Sequence, residues 1–173
     1  MTITCGPERF ANYIDELRPL VALHYDEVEQ YSANFREGVD WEQYKGEDEL
    51  GYLVSIMMRD DGKIVGYWGG NITHDQHNTL NGVRPLCLVQ KVIWIMPKWR
   101  NYARRLIAEV ETIALDLGVA WVALGATPKN RAGAFYEALG YVPAETTYVK
   151  VLGDAQSVDG PEVVADRRVA RAG

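Results

Sequence analysis

The stretch that decides the fold is residues 86–117, LCLVQKVIWIMPKWRNYARRLIAEVETIALDL. Its first part, 86–96, is apolar apart from Gln90 and Lys91, and Pro97 stops it. A run that is apolar on both faces predicts a strand buried in the middle of a sheet. Lys98, Trp99, Arg100 and Asn101 form a cationic hinge. Beyond it Ala103, Leu106, Ile107, Val110, Ile113, Ala114 and Leu117 recur at helical spacing, with Gly118 placed to end the helix. A buried strand feeding a helix with a basic first turn suits a phosphate, because free amides and the helix dipole both favour an anion there.

Working outward, residues 1–4 read as a short edge strand. From Pro7 onward Phe10, Ile14, Leu17, Leu20, Val21, His24 and Val28 keep helical spacing. Pro19 falls inside this pattern, which leaves a kinked helix or two helices with Pro19 in the first turn of the second. Asp40 caps a further short helix over 41–44. Residues 51–59 alternate, with Tyr52, Val54, Ile56 and Met58 on one face, and Asp60-Asp61-Gly62-Lys63 is a tight hairpin turn. The return strand, 64–73, carries Gly66, Gly69 and Gly70, and glycine inside a strand marks a bulge or a close approach. Residues 74–85 read as a loop. Beyond the long helix, 119–124 reads as a buried strand. Thr127-Pro128 starts a helix running to Leu139, and 141–142 and 147–152 read as terminal strands. No periodicity follows Gly153, so the expected organisation is one domain over 1–152 with a flexible tail over 153–173. The order of elements predicts an α/β protein whose mixed sheet of six to seven strands carries helices on both faces.

The 173 residues have a net charge of −6, which argues against general nucleic-acid binding. The charge is unevenly placed: residues 1–50 hold twelve Asp or Glu against four Lys or Arg, whereas Lys98, Arg100, Arg104 and Arg105 cluster at the hinge. An anionic ligand is expected at the hinge, and the acidic half is expected to face solvent or a cationic partner. No run approaches the length of a membrane span, the first residues do not form a secretory leader, and Cys5 and Cys87 are too isolated for disulfides or a metal site. No metal is expected, and a cytoplasmic setting is.

Ile93-Trp94-Ile95-Met96-Pro97-x-x-Arg100 followed by a helix resembles the acetyl-CoA-binding core of the GNAT N-acetyltransferases. Asn130-x-Ala132-x-x-Phe135-Tyr136-Glu137-x-Leu139-Gly140-Tyr141 resembles the closing helix of the same superfamily. Residues 51–53, 61–67 and 145–150 look most like members encoded by bacteriophages, which would make the setting a host cytoplasm. The resemblance implies a GNAT-like acyltransferase fold and transfer of an acetyl group from acetyl-CoA directly to an amine. It implies a coenzyme A groove drawing on Ile93, Trp94, Ile95, Lys98, Arg100, Asn101, Tyr102, Ala103, Arg104, Arg105, Asn130 and Tyr136. A backbone N–H near Ile95 would meet the thioester oxyanion, and the Tyr136 hydroxyl would protonate the departing thiolate.

Two departures stand out. Asn101 replaces the first glycine of the family's hinge, and Gln90 and Lys91 stand where a carboxylate base is frequent. Candidate bases are therefore His74, His77 and Glu27, with His24 on the same early helices. Lys91 is expected either to have a lowered pKa or to pair with a carboxylate. The amine acceptor, a small molecule or a protein, is left open by the residues, as is a homodimer. The alternative in another class is a GNAT-fold protein that has lost its chemistry and modulates a host protein.

Overall fold

The computed structural model describes residues 2–27, 39–75, 79–126 and 132–144. All of them belong to one compact unit drawn from Met1–Glu29 and Val39–Thr146. Five strands lie side by side in chain order: β1 (Ile3–Pro7), β2 (Leu53–Asp60), β3 (Lys63–His74), β4 (Leu86–Ile95) and β5 (Trp121–Ala123). The first four pair antiparallel, and β5 joins β4 in parallel. The sheet is thus mixed, with four helices: α1 (Ile14–Glu27), α2 (Trp41–Glu49), α3 (Ala103–Asp116) and α4 (Ala132–Glu137). Among the described residues no helix is long and apolar enough to cross a membrane.

Alternation along β2, β3 and β4 sends side chains to two separate cores. Ile56, Met58, Val65, Trp68, Leu88 and Ile95 pack against Leu106, Ile107, Val110 and Ala114 of α3 and Tyr136 of α4. On the other face Leu53, Met57, Ile64, Tyr67 and Trp94 meet Phe10 and Leu17 from the α1 region, with Trp41 and Tyr44 of α2 alongside. Both faces of β2 are therefore covered, and the one-sided pattern read from Tyr52 onward was incomplete: Tyr52 lies before the strand and is exposed. The α3 stripe behaves as its spacing predicts. After it the Gly118 N–H bonds Leu115 O and the Val119 N–H bonds Ala114 O, which closes the last turn.

Of the two readings around Pro19, the structure shows one continuous helix, preceded by a short 3-10 turn over Phe10–Tyr13. Polar contacts fasten this layer to the sheet. Arg59 of β2 pairs with Glu8 at 2.8 Å and with Glu16 of α1 at 3.3 Å. Buried Asp48 of α2 accepts from Arg9 Nε at 3.3 Å and from the Ala11 N–H at 3.2 Å. The α2 helix starts as expected, its cap Asp40 accepting from the Gln43 N–H at 2.9 Å.

Among the described residues the sheet has five strands, against the six to seven expected. Residues 141–142 do not form a strand, because the Tyr141 N–H turns back to Tyr136 O at 3.1 Å and closes α4 instead. Residues 147–152, the start of the last helix at 127–131, and the tail lie outside the described residues. The loop read at 74–85 contains a small hairpin, with Leu80 and Val83 paired around Asn81 and Gly82 at positive φ. Asn-Gly is a strong signal for such a turn, and the sequence reading passed over it.

The β3–β4 ladder slips between Gly69 and Gly70: Gly69 faces Val92 and Gly70 faces Gln90, so Lys91 is an extra residue on β4. This is a β-bulge. Glycine is required opposite it, since a Cβ on Gly70 would lie 2.4 Å from the Trp68 ring and 2.7 Å from Val89 O. Gly70→Ala is expected to cost about 1–3 kcal/mol through overpacking, read as an earlier midpoint in urea unfolding. An unchanged midpoint would show that the strand can move aside.

Candidate active site: an open strand edge between two helical layers

The parallel ladder between β4 and β5 has three rungs, Cys87 with Trp121, Leu88 with Val122 and Val89 with Ala123, and then it stops. From Gln90 onward β4 has β3 on one side and no paired strand among the described residues on the other. The bulge at Lys91 begins just where that ladder ends. The Met96 N–H bonds Val65 O on β3 at 2.9 Å. In-plane groups alternate along a strand, so the backbone groups of Ile95 and Ile93 point away from β3, into the gap. The Ile95 carbonyl is taken there by Arg100 Nε at 3.1 Å. At the closed end the Gln90 amide reaches Gly125 O at 3.5 Å, while its buried Oε1 has no partner among the described residues.

The hinge that enters α3 is a 3-10 segment, Pro97–Tyr102. Its turns use the N–H of Trp99, bonded to Met96 O, and that of Ala103, bonded to Arg100 O. Lys98, Asn101, Arg104 and Arg105 are exposed around it, and Tyr102 packs against the α3-side core. Lys98 lies over the Trp99 ring, 4.8 Å from its centroid. Arg100 instead turns toward α1, where it pairs with Glu27. Trp94 faces the same way, its Nε1–H donating to Glu27 at 3.0 Å. The Trp94 backbone meets Tyr67 on β3, so this residue contributes to the α1 wall rather than to the gap.

That wall is aromatic. His24 stacks on Trp94 at 5.9 Å, and its Nδ1 lies 2.8 Å from the Tyr67 hydroxyl. Burial drives the Tyr67 pKa far up and pushes His24 down to about 4, although the neighbouring Glu27 charge opposes the latter shift. Tyr67 therefore keeps its proton, and it shares one hydrogen bond with Nδ1 of the neutral imidazole, whose tautomer sets which group donates. Glu27 is held below the usual carboxylate range, chiefly by its bond to Arg100. It is an anchored anion in this arrangement, poorly suited to take up a proton.

Lys91 resolves in favour of pairing. Its Nζ lies 2.6 Å from Glu47 Oε2 and sits over the Tyr44 ring, 4.4 Å from the centroid. Burial pushes Glu47 up, but hydrogen bonds from Lys91, Gln43 and Asn71 outweigh it and hold the carboxyl below its ordinary value. Desolvation pushes the Tyr44 hydroxyl up to about 12. Glu47 and Tyr44, three residues apart and so on one face of α2, were not singled out in the sequence. A lysine in a buried strand was the available signal, since a half-buried ammonium requires a counter-charge.

Tyr136 is buried in the α3-side core beside Phe135 and Tyr141, and desolvation raises its pKa, which keeps the hydroxyl protonated. His74 is not brought to the gap. It is exposed opposite Leu86, with Nδ1 3.2 Å from Arg84 O; the five strand residues from there to Lys91 span about 17 Å. His77 and Asn130 lie outside the described residues. No cluster of His, Cys, Asp or Glu among the described residues could hold a metal.

The family model described as "Acetyltransferase (GNAT) family" matches residues 20–141, and the chain belongs to that family. Curated protein sequences give no match. The fold is similar to that of a GCN5-related N-acetyltransferase from Ralstonia eutropha JMP134, at 14% identity and a TM-score of 0.69, covering 88% of this chain and 100% of that one. It is also similar to a ribosomal-protein-alanine N-acetyltransferase from Brucella melitensis biovar Abortus 2308, at 16% identity and a TM-score of 0.66, with 88% and 100% covered. The aminoglycoside N-acetyltransferase AAC(6')-Iy, solved with a CoA-containing bisubstrate analogue, gives 18% identity and a TM-score of 0.64 over 87% of this chain and 98% of that one.

The buried imidazole generates a titration test. His24 refuses a proton in the folded state that it accepts, near its ordinary value of 6.5, when unfolded. The unfolded chain thus binds more protons between pH 6.5 and about 4, and native stability falls as pH drops through that window. Chemical unfolding of wild type and His24→Gln across these pH values is expected to show a shallower fall in the variant. Equal slopes would place the effect elsewhere.

Proposed function

We propose that this chain is an acetyl-CoA-dependent N-acetyltransferase that transfers the acetyl group directly to an amine. The single observation that carries the reading is the loss of β5 pairing beyond Val89, which leaves the Ile93 and Ile95 backbone facing a gap. The amides of a pantetheine arm can pair with such an edge much as an added strand does. The buried, unpartnered Gln90 Oε1 at the closed end is a ready acceptor for one of them. Lys98 and Arg104 supply cationic donors for phosphates at the other end, whereas the Arg105 charge lies close enough to act on Cys5 of β1, at the opposite edge of the sheet. The Ile95 or Ile93 N–H would face the thioester oxyanion. Tyr136, kept protonated by burial, is the proposed donor to the leaving thiolate. The acetyl group crosses to the amine in one step, with no enzyme nucleophile.

The acceptor is proposed to approach from the α1–α2 side, where Glu27, Glu47 and the aromatic wall favour a cationic amine, either small or on a protein. We further propose a cytoplasmic enzyme with its domain over 1–152 and a tail over 153–173; a homodimer is compatible with it. The likeness to phage members rests on residues 51–53, 61–67 and 145–150 alone.

A second reading has its own support. The 3-10 hinge uses two amides that would otherwise meet a pyrophosphate, and Arg100 is held by Glu27. A GNAT fold kept for binding a host protein fits those facts. Calorimetric titration with acetyl-CoA separates the two: binding supports the enzyme, and no heat at millimolar ligand supports the second reading. Where binding is found, Tyr136→Phe is expected to slow CoA release at least tenfold while leaving affinity near wild type. Glu27→Gln frees Arg100 from a surface pair worth about 0–1 kcal/mol, so it is expected to tighten acetyl-CoA by up to about fivefold.

A further inference from the structure

The bulge carries an amine close to where transfer is proposed, two residues along β4 from Ile93. Lys91 is the extra residue on β4, two positions beyond the last β4–β5 rung. A pantetheine arm that starts at the hinge and follows the open edge ends at this closed end, because the strands rejoin there. The bulge aims the Lys91 side chain at the α2 wall, on the side from which an acceptor would approach. There Nζ is gripped by Glu47 at 2.6 Å and by the Tyr44 ring at 4.4 Å. The side chain is 23% exposed and its partner's 18%, so the pair is sheltered without being sealed. Asn71, on the neighbouring strand and bonded to the same carboxylate, adds a buried Oδ1 with no partner among the described residues. Carboxylate and ring face together form a seat for an ammonium, and the chain's own lysine occupies it.

We propose that Lys91 is itself an acetyl acceptor, so that this protein acetylates its own strand β4 beside the acyl gap. The step rests on the acetyl-CoA reading above and balances as follows. Glu47 and the Tyr44 ring hold the Lys91 ammonium beside the gap; as the side chain turns out of that pair, water takes one proton from it. The free amine attacks the thioester carbonyl, the C–N bond forms and the C–S bond breaks. The departing thiolate is protonated, and the products are Nζ-acetyl-Lys91 and CoA. The lysine side chain is long enough to leave Glu47 and turn toward the strand edge without any backbone change. Because the amine must first leave its ion pair with Glu47, the step is slow, and selectivity among lysines is the quantity to read.

The test incubates the full chain with acetyl-CoA carrying an isotopically labelled acetyl group and follows each lysine by peptide mass mapping. Lys91 is expected to gain label at least tenfold faster than the exposed Lys63, which reports uncatalysed acetylation. Glu47→Gln is expected to remove at least nine-tenths of the Lys91 excess and to leave Lys63 unchanged. Lys91→Arg, which keeps a cation against Glu47, provides a folded variant whose protein-bound label falls to the background rate. Label on Lys91 no faster than on Lys63, in protein that binds acetyl-CoA by calorimetry, overturns this inference and leaves the enzyme reading standing. Absence of acetyl-CoA binding overturns both.

Discussion

Everything in this molecule turns on the unequal pairing of β4. Along its whole length it bonds to β3, while toward β5 it bonds over three residues only. Hydrogen-bonding groups in a central strand must be met by something. Where β5 departs, the Ile93 and Ile95 backbone is left to Arg100, to solvent or to a ligand. The bulge at Lys91 marks the same point, and Gly69 and Gly70 on β3 are the space that permits it. A ligand groove is in this sense a defect in a sheet, produced by one extra residue and two absent side chains.

The elements that depend on local chemistry were readable from the residues. The apolar run at 86–96, the α3 stripe, the Asp60–Lys63 turn and the Asp40 cap each depend on neighbours in sequence, and each appears where its pattern puts it. The reading failed where long-range partners decide. Residues 119–124 look like a full strand, yet pairing with β4 lasts for three residues because the two strands diverge. Residues 141–142 have strand character, but α4 needs a closing bond and takes the Tyr141 N–H.

The site was legible in part for the same reason. The basic hinge follows from the strand–hinge–helix pattern, and Ile93 and Ile95 from the resemblance to GNAT proteins. Nothing in the spacing says that Arg100 turns to Glu27, that Trp94 joins the α1 wall, or that His74 sits at the far end of the hairpin. Those outcomes depend on how two layers meet. The Lys91–Glu47 contact joins residues 44 positions apart, and only the demand of a half-buried charge for an opposite one hinted at it.

The layer formed by α1 and α2 is fastened mainly by charged groups, Arg59 with Glu8 and Glu16, and Asp48 with Arg9 and the Ala11 N–H. These anchors sit on β2 and in the turns before α1, away from the open edge of β4. The same layer also touches β4 and the hinge directly, through Glu47 with Lys91 and Glu27 with Arg100. On the proposed reading, a substitution at Glu47 or Glu27 therefore reaches both the surface that would meet an acceptor and the strand edge beside it.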